Sequence, residues 1–365
     1  MTRLSENFLR KTSPTADNPA VICGSRTFSY AQFFTAVSGA ACHLRDSGIQ
    51  EHDRVGILNH NNVDYLIALF ALWRIGAVAC LFSPRLPDHA LKEQLKSIHC
   101  RRFLTSTDLD PISEALQDHK TDDEQEFNVP FDREATIMFT SGSSSMPKAV
   151  LHTFGNHYYS ARGSNEHLPI IPGDQWLLSL PLYHVGGLGI IFRAFQGGGS
   201  VVIPGPDKPI DQMLKSHKIT HLSLVPTQFT RLLRDADCHN ALKNLKVILL
   251  GGSAIPDSLI SDAIKLSLPV YTTYGSTEMA SQVATSGRLS EDNPISAGKV
   301  LNYRRLMISE EGKILVKGET LFKGYIEKEG MVLPFNENGY FVTGDLGEFS
   351  DDGRLIVNGR KDNMF

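Results

Sequence analysis

Residues 55–82, VGILNHNNVDYLIALFALWRIGAVACLF, carry the strongest fold signal in the chain. They contain a short apolar strand at 55–58, an apolar helix at 64–75 and a buried strand at 77–82. Gly76 is placed to close the helix, because glycine adopts the left-handed conformation that often ends helices. A strand, a helix and a second strand in this order predict parallel pairing across a helical crossover.

The same alternation extends to both sides of this stretch. Before it, Ser29 and Gln32 have the spacing of a capping box, apolar residues follow at helical spacing, and Gly48 is a candidate C-terminal cap. After it, the pattern predicts strands at 135–139, 176–180, 200–203, 221–225 and 247–250, with helices at 187–195, 210–217 and 228–234. From about residue 298 short strands with glycine-rich turns take over, at 313–317, 340–343 and 355–357.

These elements predict an α/β fold of layered subdomains with mainly parallel sheets and a small β-barrel-like subdomain. We place the α/β body at 1–297 and the small β subdomain at 298–358, together one large domain. With 365 residues and 41% hydrophobic residues, the chain can bury a substantial core. The acidic stretch at 108–128 reads as a solvated helix and loop.

Charge and cysteine content narrow the class of protein. The net charge of −4 argues against nucleic acid as a partner, whereas an anionic small molecule can still use a local basic site. The N-terminus lacks the apolar core of a signal peptide, and the longest apolar stretch, 65–73, is far shorter than the ~20 residues that span a bilayer. We therefore expect a cytoplasmic protein with no membrane insertion and with reduced thiols at Cys23, Cys42, Cys80, Cys100 and Cys238.

Residues 140–148, TSGSSSMPK, form a candidate phosphate loop after a predicted strand. Small residues let backbone N–H groups converge on an anion, and hydroxyls and a lysine add donors and positive charge. No glycine precedes the lysine and no Ser or Thr follows it, so this is not a Walker loop. Taken alone, such a stretch is more often a flexible surface turn. The residues predicted to bind phosphate are Thr140, Ser141, Gly142, Ser143, Ser144, Ser145 and Lys148.

Two further turns follow predicted strands. In residues 274–278, YGSTE, Glu278 is suited to hold a magnesium ion on phosphate oxygens, because Mg²⁺ commonly uses one or two carboxylates plus substrate phosphates. Tyr274 can lie flat against a base. The alternative is a turn with a solvent-facing glutamate. Gly251 and Gly252 either admit a flat ring or merely make a turn.

A carboxylate and an arginine complete the set of candidate nucleotide ligands. Asp345 follows a predicted strand and a glycine, where a carboxylate is well suited to accept both hydroxyls of a ribose. Arg360, in the stretch GRKD, can reach a phosphate or ribose oxygen.

Four motifs, namely the phosphate loop, YGSTE at 274–278, TGD at 343–345 and GRKD at 359–362, occur in this order and approximate spacing. Together they resemble the adenylate-forming family of acyl-CoA ligases, luciferases and peptide-synthetase adenylation domains. The resemblance covers nearly the whole chain and implies the N-terminal core fold of that family. Ser145 and Ala149 stand where the family usually has glycine, which implies altered loop flexibility with ATP binding retained. Residues 176–187, 223–228, 249–256 and 359–365 further resemble the branch that activates o-succinylbenzoate for menaquinone biosynthesis.

The resemblance implies an ATP-dependent ligase that forms an acyl-adenylate and then a CoA thioester, with Mg²⁺. The phosphate loop would cradle the β- and γ-phosphates, Thr277 would contact the α-phosphate, and Glu278 would hold the metal. Asp345 would bind the ribose hydroxyls and Arg360 the ribose or phosphate edge. The residues beside the adenine or in its turn would be Gly251, Gly252, Ser253, Tyr274 and Gly275, and the catalytic group would be Lys148, His184, Thr277 and Glu278.

The acyl pocket should be largely apolar, with a few polar groups for the second carboxylate of the substrate. His184 matches the family's position beside that pocket, where it binds the reacting carboxylate or gates the site; a packing role is the alternative. Arg193 interrupts an apolar helix, so it either forms a structural ion pair or binds substrate. The other candidates for substrate binding are Ser223, Thr227 and Gln228.

Family members continue past the GRKD stretch into a mobile lid domain that carries a lysine. The resemblance places the start of the hinge at 359–365, so a chain without the lid should bind ATP or acyl-adenylate, adenylate slowly and form thioester very poorly. Three alternatives remain: another aryl- or fatty acyl-CoA ligase, a non-catalytic nucleotide-binding member of the fold, and an NAD-type dehydrogenase, which would need a GxGxxG fingerprint that the sequence lacks. The oligomeric state is open, with a homodimer possible.

Overall fold

The structure is a computed structural model that describes residues 5–6, 16–105, 108, 129–140, 147–205, 208–292 and 295–360. Most of the predicted acidic helix and loop, and the hinge beyond Arg360, lie outside these residues. Within them the helices are α1 (Tyr30–Asp46), α2 (Val63–Ile75), α3 (Asp88–Ser97), α4 (Phe154–His167), α5 (Val185–Gly197), α6 (Ile210–Ser216), α7 (Pro226–Arg234), α8 (His239–Lys243) and α9 (Asp257–Lys265).

The strands of the described residues form four sheets. They are β1 (Ser5–Glu6), β2 (Pro19–Cys23), β3 (Arg26–Ser29), β4 (Arg54–Leu58), β5 (Val78–Phe82), β6 (Arg102–Leu104), β7 (Val129–Pro130), β8 (Glu134–Phe139), β9 (Ala149–Thr153), β10 (Gln175–Leu177), β11 (Ser200–Ile203), β12 (His221–Leu224), β13 (Val247–Leu250), β14 (Val270–Ser276), β15 (Ser281–Thr285), β16 (Lys299–Val300), β17 (Arg304–Ile308), β18 (Lys313–Gly318), β19 (Gly324–Glu327), β20 (Gly330–Val332), β21 (Phe341–Phe349) and β22 (Leu355–Arg360).

A seven-stranded sheet contains the crossover predicted from residues 55–82. Its order is β20-β19-β9-β8-β5-β4-β6, and β4 pairs in parallel with β5, with Gly56 opposite Cys80. The Asn62 side chain caps α2, and Gly76, at φ +92°, ends it in the left-handed conformation. The predicted parallel pairing and the closing glycine are confirmed.

A nine-stranded sheet, β16-β15-β14-β13-β12-β10-β11-β2-β3, holds the middle of the chain. The six central strands of this order, from β14 to β2, pair in parallel. Antiparallel strands lie at the two edges, β15 and β16 at one and β3 at the other. The fold class predicted from the sequence, α/β with mainly parallel sheets, is confirmed.

A smaller antiparallel sheet, β17-β18-β21-β22, holds most of the late strands. The predicted span 298–358 also contributes strands to both larger sheets. Strand β19 pairs with β9 of the seven-stranded sheet, with Tyr325 opposite Val150, and β16 joins the nine-stranded sheet. The division into subdomains at residue 298 stays a prediction.

One apolar core joins the two large sheets through α1, α2, α4 and α5. Its centre is a set of aromatic rings in edge-on or tilted contact, and Phe70 packs against both Phe33 and Trp73. The Ser29–Gln32 capping box that starts α1 is present, with reciprocal bonds of 3.2 and 2.9 Å. This shared core fixes the two sheets so that the turns after β8, β13 and β14 can form one site.

Candidate active site

The predicted phosphate loop is closed at its base by Thr140 and Lys148. The Thr140 N–H donates to the Lys148 carbonyl at 3.0 Å, and the Lys148 N–H donates to Oγ1 of Thr140 at 3.3 Å. The loop therefore connects two paired antiparallel strands, β8 and β9. The predicted ligands between these two residues, Ser141, Gly142, Ser143, Ser144 and Ser145, lie outside the described residues.

Lys148 and Glu278 both contact the side chain of Tyr325. The Lys148 Nζ is 4.9 Å from the centre of the Tyr325 ring, a cation–π distance. The Tyr325 hydroxyl donates to Oε1 of Glu278 at 2.8 Å. Burial, and next the Glu278 carboxylate, raise the pKa of Tyr325 well above its usual range, so the hydroxyl keeps its proton. One tyrosine thus contacts a cation through its ring and a carboxylate through its hydroxyl.

The segment 277–281, called here the Thr277 turn, has strained backbone. It begins as a turn of 3₁₀ helix, and Ala280 and Ser281 then adopt φ values of +51° and +113°. Positive φ is uncommon for residues with a side chain and often marks functional sites. Gly275 is required beside the turn, because a Cβ there would lie 1.9 Å from the Ser281 carbonyl oxygen.

Asp345 is held by residues from two sheets. The Tyr274 hydroxyl, on β14, donates to Oδ2 of Asp345 at 2.7 Å, and Nε of Arg360 lies 3.5 Å from Oδ1. Burial, and next the charge of Asp345, raise the pKa of Tyr274 well above its usual range. Gly344 has φ +82°, which turns the strand so that the carboxylate faces β14. The structure thus brings three predicted nucleotide ligands together.

The turn after β13 lies beside β14 at the same sheet edge. A Cβ on Gly251 would lie 2.7 Å from Cγ2 of Thr273, and Gly252 has φ +85°, so both positions favour glycine. Gly252 and Ser253 are exposed. The turn is therefore open to solvent, and the role of Gly251, Gly252 and Ser253 at the adenine stays a prediction.

Arg193 is a buried cation beside the Thr277 turn. It is 1% exposed, its guanidinium lies 5.4 Å from the Trp176 ring, and its Nη2 donates to Oγ of Ser281 at 3.0 Å. Burial lowers its pKa to about 10. Gly189, one helical turn earlier, makes room, because a Cβ there would lie 2.9 Å from the guanidinium. Within the described part of the chain no carboxylate pairs with Arg193 and its Nε has no hydrogen-bond partner, so the expected structural ion pair is not found there.

The other predicted substrate residues differ in how their polar atoms are used. Ser223 is buried and its Oγ accepts from the Trp176 indole at 3.2 Å, which puts it on the same ring as Arg193. Gln228 is occupied at both ends, by the Val225 N–H at 3.1 Å and the Ser179 carbonyl at 3.2 Å, so it mainly fixes the start of α7. The Thr227 side chain is exposed.

His184 lies at the start of α5. Its carbonyl accepts from Gly187 and Leu188, and its exposed ring lies 4.7 Å from that of Tyr183. The ring therefore has no structural hydrogen bond at the cap. A role at the acyl pocket stays a prediction.

The sequence reasoning missed Tyr325 and His152. Tyr325 lies on a strand that pairs with β9, from the first half of the chain, and no local motif indicates that pairing. His152 follows three consecutive apolar residues on β9 and so looks like a core position. A search for polar residues at buried strand positions could have found it.

Three further features of the described residues bear on function. A cavity of about 1030 Å³ lies at the amino-terminal ends of β4, β6 and β8, the opposite sheet edge from Thr140, and mixed charges such as Arg54, Arg133 and Glu134 line it. It therefore belongs to another surface. In the part of the chain that the structure describes, no three His, Cys, Asp or Glu side chains form a metal-binding group. None of the described helices is long and apolar enough to span a bilayer.

A layered α/β fold that brings a lysine, two carboxylates and an arginine to one candidate site defines a nucleotide-binding enzyme. Asp345 lies inside β21, not at the strand end that the sequence predicted. The chain belongs to the AMP-binding enzyme family, whose sequence model matches residues 8–326. It is 31% identical, over 386 aligned residues, to the 2-succinylbenzoate–CoA ligase of Bacillus licheniformis, and the alignment covers 98% of this chain and 80% of that relative.

Solved structures agree with this family. The o-succinylbenzoate coenzyme A synthetase of Bacillus subtilis, in complex with ATP and magnesium ion, superposes with a TM-score of 0.88 at 28% identity over 99% of this chain and 81% of that one. The same enzyme in complex with its acyl-adenylate intermediate superposes with a TM-score of 0.88 at 28% identity over 100% of this chain and 79% of that one. The predicted family and its core fold are confirmed.

Proposed function

We propose that this chain is an acid–thiol ligase that activates 2-succinylbenzoate with ATP as an acyl-adenylate and transfers the acyl group to CoA, a step of menaquinone biosynthesis. The substrates follow from the relatives reported above. The structural observation that supports the proposal best is a chain of contacts. Lys148 and Glu278 both contact Tyr325, and Asp345 accepts from Tyr274. After burial and Asp345, the charge of Glu278 also raises the pKa of Tyr274.

The reaction explains why such a site is needed. A carboxylate is a poor acyl donor, because its charge and resonance repel a nucleophile. Its oxygen attacks the α-phosphorus of ATP, the bond to the bridging oxygen breaks, and pyrophosphate leaves with the electron pair. The CoA thiolate then attacks the acyl carbon, and AMP leaves. Such transfers depend mostly on positioning and charge stabilisation.

Lys148 and Glu278 would act on the phosphates. Lys148 offers a point charge at the base of the loop, and its side chain is steered over the Tyr325 ring. Glu278 fits a magnesium ion because, among the residues that the structure describes, only its Oε1 accepts a hydrogen bond, from Tyr325, which leaves Oε2 for a cation. When bound, that ion would neutralise charge on the phosphates. Thr277 would place its hydroxyl at the α-phosphate.

Asp345 would accept the ribose hydroxyls. A carboxylate has about four acceptor positions, and within the described part of the chain Tyr274 and Arg360 use two, which leaves two for a diol. Tyr274 would also present its ring toward the adenine beside Gly251, and Arg360 would reach a ribose or phosphate oxygen.

Arg193 would bind the second carboxylate of 2-succinylbenzoate. A buried guanidinium with a free N–H and no carboxylate among its described neighbours is costly until an anion arrives. Trp176 beneath it and Ser223 on the same ring give the pocket an apolar wall with a polar edge. His184 would contribute at the reacting carboxylate.

The test is pyrophosphate release by the chain with ATP, Mg²⁺ and a panel of carboxylic acids, followed by chromatography for the CoA thioester. We expect 2-succinylbenzoate to be preferred and Glu278→Gln to lose most of the rate, with exposed Glu348→Gln as the matched control. Preference for a long-chain acid would make the chain a fatty acyl-CoA ligase. ATP binding without acid-dependent release would make it a non-catalytic nucleotide-binding protein.

Two further expectations, on cellular location and oligomeric state, belong to the same proposal. Because ATP and CoA are cytoplasmic metabolites, we place the enzyme in the cytoplasm. A homodimer stays a prediction, which light scattering on the eluting protein would test.

A further inference from the structure

His152 makes a buried hydrogen bond to the backbone of the Thr277 turn. Its side chain is 0% exposed, and Nε2 lies 2.7 Å from the Thr277 carbonyl oxygen. A carbonyl oxygen only accepts, so Nε2 carries the proton. The bond links β9, which leaves the phosphate loop, directly to the residue proposed to touch the α-phosphate.

The His152 ring also has a polar contact at Nδ1, the nitrogen that does not bond to Thr277. The Thr136 hydroxyl lies 3.4 Å from Nδ1 of His152 and 2.8 Å from Nε2 of His157, and the His157 ring stacks on Phe192 at 5.1 Å. Burial lowers the pKa of His152 to about 4, so the ring is neutral at physiological pH. With Nε2 protonated, Nδ1 faces Thr136 as an acceptor. The imidazole therefore has one tautomer and one orientation.

The Thr277 turn needs such support because its backbone is strained. Ala280 and Ser281 hold positive φ, and a strained segment persists only where its surroundings fix it. The Ala280 carbonyl accepts from Oγ of Ser160 on α4 at 2.7 Å, which holds the far end. His152 holds the near end at Thr277.

We propose that His152 is a positioning residue for adenylate formation: its Nε2–H fixes the Thr277 carbonyl and so places the Thr277 and Glu278 side chains at the phosphates. The inference rests on the proposed function. It concerns placement only, because the His152 ring is fully buried and its Nε2–H is already used by the Thr277 carbonyl.

Two variants separate placement from packing. His152→Leu keeps an apolar buried side chain but removes the donor, whereas His152→Gln keeps an uncharged N–H donor. His221→Gln is the matched control, because His221 is also 0% exposed but bonds to Thr220 and Pro169, away from the turn. Circular dichroism and melting temperature establish that each variant is folded.

The first readout is the rate of 2-succinylbenzoate-dependent pyrophosphate release. We expect His152→Leu to lower kcat at least ~10-fold with the KM for the acid little changed, since small misplacements at a reacting centre cost up to about 100-fold. His152→Gln should stay within about threefold of the unmodified chain, as should His221→Gln. Three results would overturn the proposal. They are a His152→Leu rate equal to that of the unmodified chain, the same loss of rate in His152→Leu and His152→Gln, or a loss in His221→Gln as large as that in His152→Leu.

The second readout is amide hydrogen exchange in the peptide that contains residues 277–281, measured without substrates. His152→Leu should speed exchange there, and His152→Gln should not, because local opening follows the loss of the anchoring bond. Unchanged exchange in the leucine variant would refute the positioning role by itself. An unmodified chain that releases no pyrophosphate would instead refute the proposed function.

Discussion

The Tyr274 hydroxyl and the Asp345 carboxylate join two sheets across the candidate site at 2.7 Å. Tyr274 belongs to the nine-stranded sheet and Asp345 to the small antiparallel sheet, where it also pairs with Arg360 in register. A ligand held by both residues would therefore be sensitive to the relative placement of the two sheets. The bond is charge-assisted and sits in a partly buried setting, so it is stronger than a neutral one.

Removal of this hydroxyl should weaken nucleotide binding. We predict that Tyr274→Phe raises the Kd for Mg·ATP about 10-fold, because hydrogen bonds to charged groups contribute about 1.5–3 kcal/mol. Titration calorimetry measures the change. Tyr303→Phe is the control, since Tyr303 makes a similar 2.8 Å bond to Glu166 outside the site. An unchanged Kd in Tyr274→Phe, or an equal effect in both variants, would contradict the assignment of Asp345.

Tyr325 should have two separable effects. Tyr325→Phe loses the bond to Glu278 but keeps the ring beneath Lys148, so we predict a higher Mg²⁺ requirement with nearly normal ATP affinity at saturating metal. Tyr325→Leu loses the ring as well and should weaken ATP binding further, by roughly 0.5–2 kcal/mol. Pyrophosphate release across a Mg²⁺ series separates the two. Identical Mg²⁺ curves for the unmodified chain and the phenylalanine variant would refute the link to Glu278.

Local structure was predictable from the sequence, and contacts between distant segments were not. The strands at 200–203 and 247–250 have the predicted bounds, and the capping box at Ser29 formed, because alternation and caps depend on neighbouring residues. The pairing of β19 with β9 depends on contacts far apart in sequence. That pairing brings Tyr325 to Glu278, which local patterns cannot indicate.

The site itself was partly predictable. Glu278, Asp345 and Arg360 became candidates because short motifs follow predicted strands, and a family resemblance gave them expected roles, which stay predictions. The buried histidine at position 152 carries no motif. Its function depends on the backbone of a turn that the sequence does not place beside it.

Arg193 should matter for substrate and little for stability. We predict that Arg193→Met raises the KM for 2-succinylbenzoate 10- to 100-fold, about 1.5–3 kcal/mol, and leaves the melting temperature equal or higher, since apolar replacement of a buried unpaired charge is often neutral. Arg304→Met is the control: Arg304 is also buried but donates to the Gln282, Asn302 and Ser160 carbonyls. It should lower the melting temperature. A destabilised Arg193→Met with a normal KM would show a structural role instead.

Stability should fall below neutral pH through buried neutral histidines. Burial lowers the pKa of His221 to about 4, against 6.5 in the unfolded chain, so the unfolded state binds more protons as the pH drops. The stabilisation is complete above pH 6.5 and is lost as the pH falls toward 4. His221 alone should account for up to about 2 kcal/mol between pH 7.5 and 5.0. Urea unfolding at both pH values measures the free energy of unfolding. His221→Gln should lose less of it between pH 7.5 and 5.0 than the unmodified chain does, and an equal loss in the two proteins would contradict the assignment.

Transfer of labelled oxygen tests the central claim most directly. In 2-succinylbenzoate labelled with ¹⁸O in the reacting carboxylate, one labelled oxygen forms the new bond to the α-phosphorus. It stays there when CoA, or water in a slower hydrolysis, attacks the acyl carbon and AMP leaves. The account predicts AMP carrying one ¹⁸O by mass spectrometry, with unlabelled pyrophosphate. Unlabelled AMP, or label in the pyrophosphate or phosphate released, would show that the carboxylate does not attack the α-phosphorus of a nucleotide bound by Lys148, Glu278 and Asp345.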